Sequence, residues 1–321
     1  MAAPAFAAVP PRPKPSSVGG LELEFVTVEG MRVRLGHRRA TRAAPVRGTV
    51  VVLPGRAEFI EKYGETLDKL DELGFASAIL DWRGQGGSDR YLDRRLRGHV
   101  PQVEAYLADL DAVMARVKQL DLPQPFSMLA HSMGGHIGLR YMHAHAGAFA
   151  AAAMTAPMFG IALNAMPERL ADAICRVAIG LGAGRAYAPG QSDLDLDRRR
   201  FDGNRLTSCP EHFASLGQLL AAAPELALGG VTYGWLGAAL RSIALIRRPG
   251  YLESIRTPIL VCQAGLERIV SNRAQIEFVR RLPQARLAVF AEARHELLYE
   301  REPVRAQLFA TIDAFLTESL S

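Results

Sequence analysis

The sequence predicts an α/β fold: a mostly parallel, doubly wound sheet with a helical segment inserted after its sixth strand. Three observations predict it. Short apolar runs without polar alternation recur, as strands covered on both faces require; Thr49–Leu53, Ala76–Leu80 and Pro258–Cys262 are examples. Amphipathic helical patterns separate most of these runs, and such alternation favours a parallel sheet with helices on both faces. The alternation breaks from about Pro157 to Arg256, where helical patterns stand between Gly- and Pro-rich turns without a convincing buried strand, and then resumes.

In order, residues 1–20 are rich in Ala and Pro and lack a basic n-region and a long apolar h-region, so they read as a disordered tail rather than a signal peptide. Residues Leu21 to Leu35 alternate around Glu29 and Gly30, which predicts a β-hairpin. The Thr49–Leu53 strand ends at Pro54 and Gly55. Phe59, Tyr63, Leu67, Leu70 and Leu73 then mark a helix stopped by Gly74. Ala76–Leu80 runs into a Gly-rich loop from Asp81 to Ser88, and Val103, Tyr106, Leu110, Val113, Val117 and Leu120 mark a second helix. A strand from Phe126, a helix to about His145 and a strand at Ala151–Thr155 complete the first half. The inserted segment carries helical patterns around Glu168–Leu181, Glu211–Ala223 and Trp235–Ile246. A helix near Arg273–Leu282, the strand Arg286–Phe290 and a helix through Val304, Leu308, Ile312 and Phe315 follow Pro258–Cys262. The predicted division is a core of residues 21–156 and 257–321 with a helical cap of residues 157–256.

The bulk numbers exclude several classes of protein. The 321 residues, 49% hydrophobic and 22% charged, suffice to bury roughly three quarters of the unfolded surface. No apolar run approaches the ~20 residues of a spanning helix. Cys175, Cys209 and Cys262 are scattered and without C-x-x-C spacing, which argues against a disulfide framework or zinc site and for a reducing, cytoplasmic compartment. The formal charge of +5 comes from arginines spread along the chain, with small clusters at Arg94-Arg95, Arg198–Arg200 and Arg247-Arg248. Nucleic-acid binding would concentrate them on one element. Weak, peripheral attraction to an anionic (inner) membrane is the remaining reading of that charge. Oligomeric state is left open.

The chemistry centres on Phe126–Gly135, where an apolar strand stops abruptly at Ser132 and a helix with two glycines in its first turn begins. This is the strand–turn–helix context of a nucleophile elbow, in which the residues two before and two after the Ser nearly touch and must be small. Here they are Ala130 and Gly134. A serine nucleophile needs a base and an acid that orients it. In hydrolases built on doubly wound sheets the chain order is Ser, acid, His. Of the eight histidines only His295 follows the last expected strand, at the sheet edge where Ser132 should emerge. Among the carboxylates between the two, Glu267 follows directly on the penultimate strand; Asp202 in the cap and Glu292 beside the base are the competing carboxylates. The oxyanion hole requires two backbone N–H groups, expected from Met133 and from Arg56 in the turn after Thr49–Leu53.

Together, LPGRAEFIEKY from Leu53, LDWRGQGGSDR from Leu80, LAHSMGG from Leu129, QAGLERIV from Gln263 and ARHELLYE from Ala293 make the chain resemble the α/β-hydrolase superfamily, and more narrowly its bacterial lysophospholipase and monoacylglycerol-lipase branch. The resemblance spans nearly everything from Leu21 onward. It implies Ser132 as nucleophile, His295 as base, Glu267 as acid, a helical cap after the sixth strand, and no metal or organic cofactor. Many members have His-Gly in place of Pro54-Gly55, Gly in place of Ala130 and Asp in place of Glu267.

The expected activity is that of a serine carboxylester hydrolase acting on single-chain lipid esters, lysophospholipid or monoacylglycerol, through an acyl-enzyme. The alternatives are a general carboxylesterase of small soluble esters and a ligand-binding relative with little turnover, since fold does not dictate function. Epoxide and haloalkane hydrolases carry Asp at the elbow and are disfavoured. Gly180, Gly182 and Gly184 follow a helical pattern and not a strand, so they are discounted as a phosphate loop. Apolar faces in the cap (Ile174, Val177, Ile179 and Leu181; Trp235, Leu236, Leu240, Ile243 and Leu245) are expected either to pack within the cap or to line an acyl cleft, with arginines at 169, 176, 185, 241, 247 and 248 meeting anionic head groups.

Overall fold

The computed structural model describes residues 20–42, 45–163, 166–193 and 200–321. The N-terminal tail up to residue 19, and Arg198 and Arg199 of the central cluster, lie outside the described residues.

β1 (Glu22–Val28) and β2 (Met31–Arg38) form the expected hairpin, turned by Glu29 and Gly30 at positive φ. β3 (Gly48–Leu53), α1 (Gly64–Glu72), β4 (Phe75–Asp81), α2 (Glu104–Gln119), β5 (Phe126–His131), α3 (Met133–Ala144) and β6 (Ala152–Thr155) follow. α4 (Glu168–Gly180), α5 (Pro210–Ala222) and α6 (Tyr233–Ile246) precede β7 (Ile259–Ala264), and α7 (Asn272–Arg281), β8 (Ala285–Phe290) and α8 (Glu302–Leu320) close the chain. The strands form one sheet in the order β1-β2-β4-β3-β5-β6-β7-β8, parallel from β4 to β8, with β1 and β2 antiparallel at one edge. This is the α/β-hydrolase fold. The central strands are buried at every position, as their unalternating apolar sequences require.

The crossover from β3 to β4 runs one way along the sheet and that from β4 to β5 runs the other. Right-handed crossovers therefore place α1 on one face and α2 and α3 on the opposite one. The reversal makes neighbours of β3 and β5, and ligand sites of such sheets lie outside the carboxyl ends of the strands at this switch point. Leu53 pairs with Ala130 in the ladder, so the segments leaving the two strands, Pro54–Arg56 and His131–Ser132, start side by side.

Two expectations are corrected. The helix expected from Phe59 to Leu73 is broken: Ile60–Tyr63 is a 3₁₀ turn, and α1 begins only at Gly64. The cause is local bonding. Ile60 N–H is held by Asp81 Oδ1 at 2.8 Å, and Lys62 N–H reaches back three residues to the Phe59 carbonyl. Second, most of the large apolar residues of α4 are not packed within the cap; Ile179, 37% exposed, reaches Gly237 of α6. Leu170, Ile174, Val177 and, just beyond the helix, Leu181 are 52, 38, 63 and 81% exposed. The helix packs instead through its small residues, Ala171 and Cys175, with Cys175 set against Gly237 of α6. Trp235, Leu240 and Ile243 of α6 are buried, and Leu236 and Leu245 are half-buried. Among the described residues between β6 and β7 no strand forms, only isolated bridges such as Tyr187 with Thr232.

Candidate active site

Ser132 links β5 to α3 with φ 51° and ψ −114°, a backbone region that L-residues with side chains avoid. The conformation is over-determined by its surroundings. Ser132 N–H donates to the Thr155 carbonyl at 3.0 Å, and the Ser132 carbonyl accepts from Met158 N–H at 2.9 Å. Gly134 lies so close to β3 that a Cβ would overlap the Leu53 carbonyl oxygen, so only glycine lets α3 start here.

The structure brings Ser132, Glu267 and His295 together from three separate strand ends. His295 Nε2 is 3.0 Å from Ser132 Oγ, and His295 Nδ1 is 2.7 Å from Glu267 Oε2. The other carboxylate oxygen, Oε1, accepts the backbone N–H groups of Arg268, Ile269 and Val270 at 2.9, 2.7 and 3.2 Å. Glu267 is thus bonded to the Arg268 main chain and not its side chain. The loops carrying Glu267 and His295 are zipped together by Gly265 N–H to the Phe290 carbonyl and Leu266 N–H to the Ala293 carbonyl. A Cβ on Gly265 would overlap the Ala291 backbone.

Burial is the largest influence on both ionisable partners and opposes charge on each. The attraction between them, with their hydrogen bond, outweighs it. Glu267 is held below the ordinary carboxylate value and His295 above 6.5. Glu296 and Glu58 add to the rise at His295. His131, whose ring centroid is 4.8 Å from that of His295, goes the other way: burial first, then the charges of His295 and Lys62, pull it down to about 4. It stays neutral at neutral pH, with Nδ1 3.1 Å from the Thr155 carbonyl.

Arg56 occupies the turn after β3, beside Ser132. The turn is fixed from the Asp81–Ser88 loop: Trp82 Nε1–H donates to the Pro54 carbonyl at 2.8 Å, and Gln85 Nε2–H to the Gly55 carbonyl at 2.8 Å. Ala57, at φ 60°, donates its N–H to Gln85 Oε1 at 3.2 Å. The Arg56 side chain turns to the cap, donating to the Gly229 carbonyl at 2.8 Å and lying over Trp235 of α6. Met133 is the first residue of α3, where N–H groups have no intrahelical acceptor.

Sequence reasoning missed what supports this arrangement. Glu300, fully buried, accepts Arg294 N–H and both the N–H and Oγ–H of Ser208, tying the His295 loop to the inserted segment. Glu296 N–H donates to the Leu206 carbonyl at 2.8 Å. Glu58, Lys62 and Glu296 form a buried ion-pair chain behind His131. Their sequence signal is their place in the LPGRAEFIEKY and ARHELLYE segments, which does not say that the charges meet. All three cysteines are free and buried, and among the described residues no group of three or more His, Cys, Asp or Glu is placed to hold a metal.

An eight-stranded sheet of this order, with a strained serine between β5 and α3 and a histidine and carboxylate from the last two strand ends, defines an α/β-hydrolase. The family model described as serine aminopeptidase, S33 (Hydrolase_4), matches residues 44–302, and the chain belongs to this family. It is a carboxylic ester hydrolase. The chain is similar to lysophospholipase L2 of Escherichia coli (strain K12), 33% identical over 316 residues that cover 92% of this chain and 87% of that one. Probable lysophospholipase L2 of Haemophilus influenzae is 28% identical over 286 residues, 88% of each chain. Among solved structures, a soluble variant of monoglyceride lipase from Saccharomyces cerevisiae superposes with a TM-score of 0.76 at 20% identity, covering 97% of this chain and all of that one, a likeness of fold.

Proposed function

We propose that the chain hydrolyses single-chain lipid esters, lysophospholipids or monoacylglycerols, through an acyl-enzyme on Ser132. The observation that carries the mechanism is the continuous hydrogen-bond chain from Ser132 Oγ through His295 to Glu267. In it, His295 Nε2 takes the proton as Oγ attacks the ester carbonyl, while Glu267 fixes the tautomer and supports the imidazolium that forms. The backbone N–H groups of Arg56 and Met133 receive the oxyanion, aided by the positive end of α3. His295 returns the proton to the leaving alcohol, the acyl group stays on Oγ, and water activated by the same imidazole releases the fatty acid.

Residues 157–256 act as the cap of this site, and its contact with the oxyanion turn, Arg56 against Trp235 and Gly229, supports that role. The lipid substrate rests on the relatives, two of which are named lysophospholipase L2. It also fits α4, whose exposed apolar side accompanies the exposed Arg169, while Glu168 is paired with Arg247 and Asp172 with Arg176. This side of the cap makes peripheral contact with an anionic lipid surface.

The test is labelling by a fluorophosphonate probe, with turnover of a soluble p-nitrophenyl ester alongside. Wild type should be labelled and active, and Ser132→Ala neither. Label that survives the substitution sinks the nucleophile assignment; labelled wild type without ester turnover points instead to a binding protein.

A further inference from the structure

We propose that Lys62 is a positioning residue, an ammonium enclosed by Glu58 and Glu296 that sets the oxyanion turn and the His295 loop against each other. The inference rests on the reading of Ser132 and His295 as nucleophile and base. Lys62 Nζ is 2.5 Å from Glu58 Oε1 and 2.7 Å from Glu296 Oε1, and the three side chains are 2, 4 and 5% exposed. Each end of the bridge is fastened to a different part of the site. Glu58 Oε2 accepts the Gly55 N–H at 2.5 Å and the Tyr63 hydroxyl at 2.6 Å, so the carboxylate holds the Pro54–Gly55 peptide, one before the peptide that carries the Arg56 N–H. Glu296 is covalently next to His295. Tyr299, from the same loop as His295, donates its hydroxyl to the Lys62 carbonyl at 2.6 Å and lays its ring 4.7 Å from Nζ. Two loops from opposite ends of the sequence therefore meet on one ammonium.

Stability alone does not account for three charges in the interior. Buried ion pairs are commonly replaceable by apolar side chains without loss, because desolvation consumes most of the attraction. What an ion pair supplies, and an apolar cluster does not, is a direction and a charge. The direction here is the placement of the Pro54–Gly55 peptide, which leads into Arg56, relative to His295. The charge is net negative, two carboxylates against one ammonium. The charged groups that act on His295 are Glu267 from the loop after β7, its neighbour Glu296, and Glu58 from the segment after β3; the His131 ring at the end of β5 lies beside it, and Lys62 is the counter-charge between Glu58 and Glu296. Of these, Glu267, Glu296 and Glu58 favour its protonated form, and His131 remains neutral beside it. The bridge thus supports the imidazolium that forms when His295 takes the proton of Ser132. Neither Lys62 nor Glu296 is assigned contact with substrate.

The test uses Glu296→Gln, which keeps an oxygen for Lys62 and removes the charge, and Lys62→Met, which removes the ammonium. Each is measured on a soluble short-chain ester across pH, with thermal melting as the control for folding. In Glu296→Gln the acid limb of kcat/KM should move to lower pH and kcat should fall on the order of tenfold, the equivalent of one pKa unit of lost imidazolium support. KM should stay within about twofold of wild type, since uniform substrate binding is untouched. The double variant should cost no more than the worse single one, as expected of residues acting as a unit. A folded Glu296→Gln with wild-type kcat and acid limb overturns the proposal. So does a Lys62→Met that melts lower yet turns over at the wild-type rate, which would make the bridge purely structural. If Lys62→Met fails to fold, Glu296→Gln alone decides. Fluorophosphonate labelling of the wild type reports separately on the Ser132 reading, so failure there is seen without any bridge variant.

Discussion

Glu267 Oε2 stands 2.7 Å from His295 Nδ1, while Oε1 of the same carboxylate is held by three consecutive backbone N–H groups. The carboxylate cannot turn away from the imidazole without abandoning that backbone cradle, so the histidine's orientation is inherited from a turn in the main chain. The glutamate side chain folds back over its own following residues and presents one oxygen to each partner.

The pH dependence follows from the same contact. His295 works as a base only when neutral, and its pKa is raised above 6.5, so kcat/KM should rise with pH through a midpoint above 6.5. Glu267→Gln removes the attraction that raises the value and leaves the burial that lowers it. The midpoint should therefore move down, and the plateau should drop by about 10³-fold or more as the imidazole loses its tautomer control. The check is kcat/KM for a soluble ester from acid to alkaline pH in both proteins. An unchanged midpoint in the variant would detach Glu267 from His295, and full activity with Asp202→Asn or Glu292→Gln inactive would reassign the acid.

Ser132 stores strain that a glycine would release. Its φ of 51° with ψ of −114° costs on the order of 1–3 kcal/mol for a residue with a Cβ. Glycine removes that cost but gains about 0.5–1 kcal/mol of unfolded-state freedom. The balance favours glycine by about 1 kcal/mol. Ser132→Gly should accordingly resist urea better than Ser132→Ala, although both lack the hydroxyl and both are inactive. Comparing the two inactive proteins isolates the backbone term. Equal urea midpoints would show that the turn is not strained in solution.

Strand and helix patterning made the sheet legible, because burial on both faces leaves an unmistakable apolar run, as in Val50–Leu53 and Ile259–Cys262. The positions of Ser132, Glu267 and His295 were legible for a related reason: each lies in the loop that leaves a strand, and the parallel sheet delivers all three strand ends to one edge. Contacts between distant polar residues leave no such period. Nothing in the spacing of Lys62 beside the apolar positions of the expected helix announces an ion pair, yet its side chain is buried between carboxylates 4 residues before it and 234 after it. The same blindness, reversed, applies to α4. Its apolar stripe reads as a core face, and only the packing of Ala171 and Cys175 onto α6 reveals that the stripe lies outside.

That outward stripe leads to the prediction on substrate and surface. Leu170, Ile174, Val177 and Leu181 recur at spacings of four, three and four, so they share one side of α4 and its continuation. At about 0.8 kcal/mol per CH₂ removed from water, even partial insertion of several such side chains is worth a partition of about 10²-fold or more. The variant Leu170→Ser, Val177→Ser, Leu181→Ser should sediment less with vesicles containing anionic phospholipid. It should lose activity on monoacyl lipid presented in those vesicles and keep its rate on a soluble short-chain ester, because the stripe is turned away from α6 and the site beneath it. Wild type should prefer monoacyl over diacyl and triacyl lipids, whose bulk a capped cleft excludes. Vesicle binding unaffected by the three substitutions would remove α4 as the membrane contact. A wild-type preference for acetyl or butyryl esters over long-chain monoacyl lipids would reduce the enzyme to a general carboxylesterase, leaving Ser132, His295 and Glu267 in their roles but without a lipid to act on.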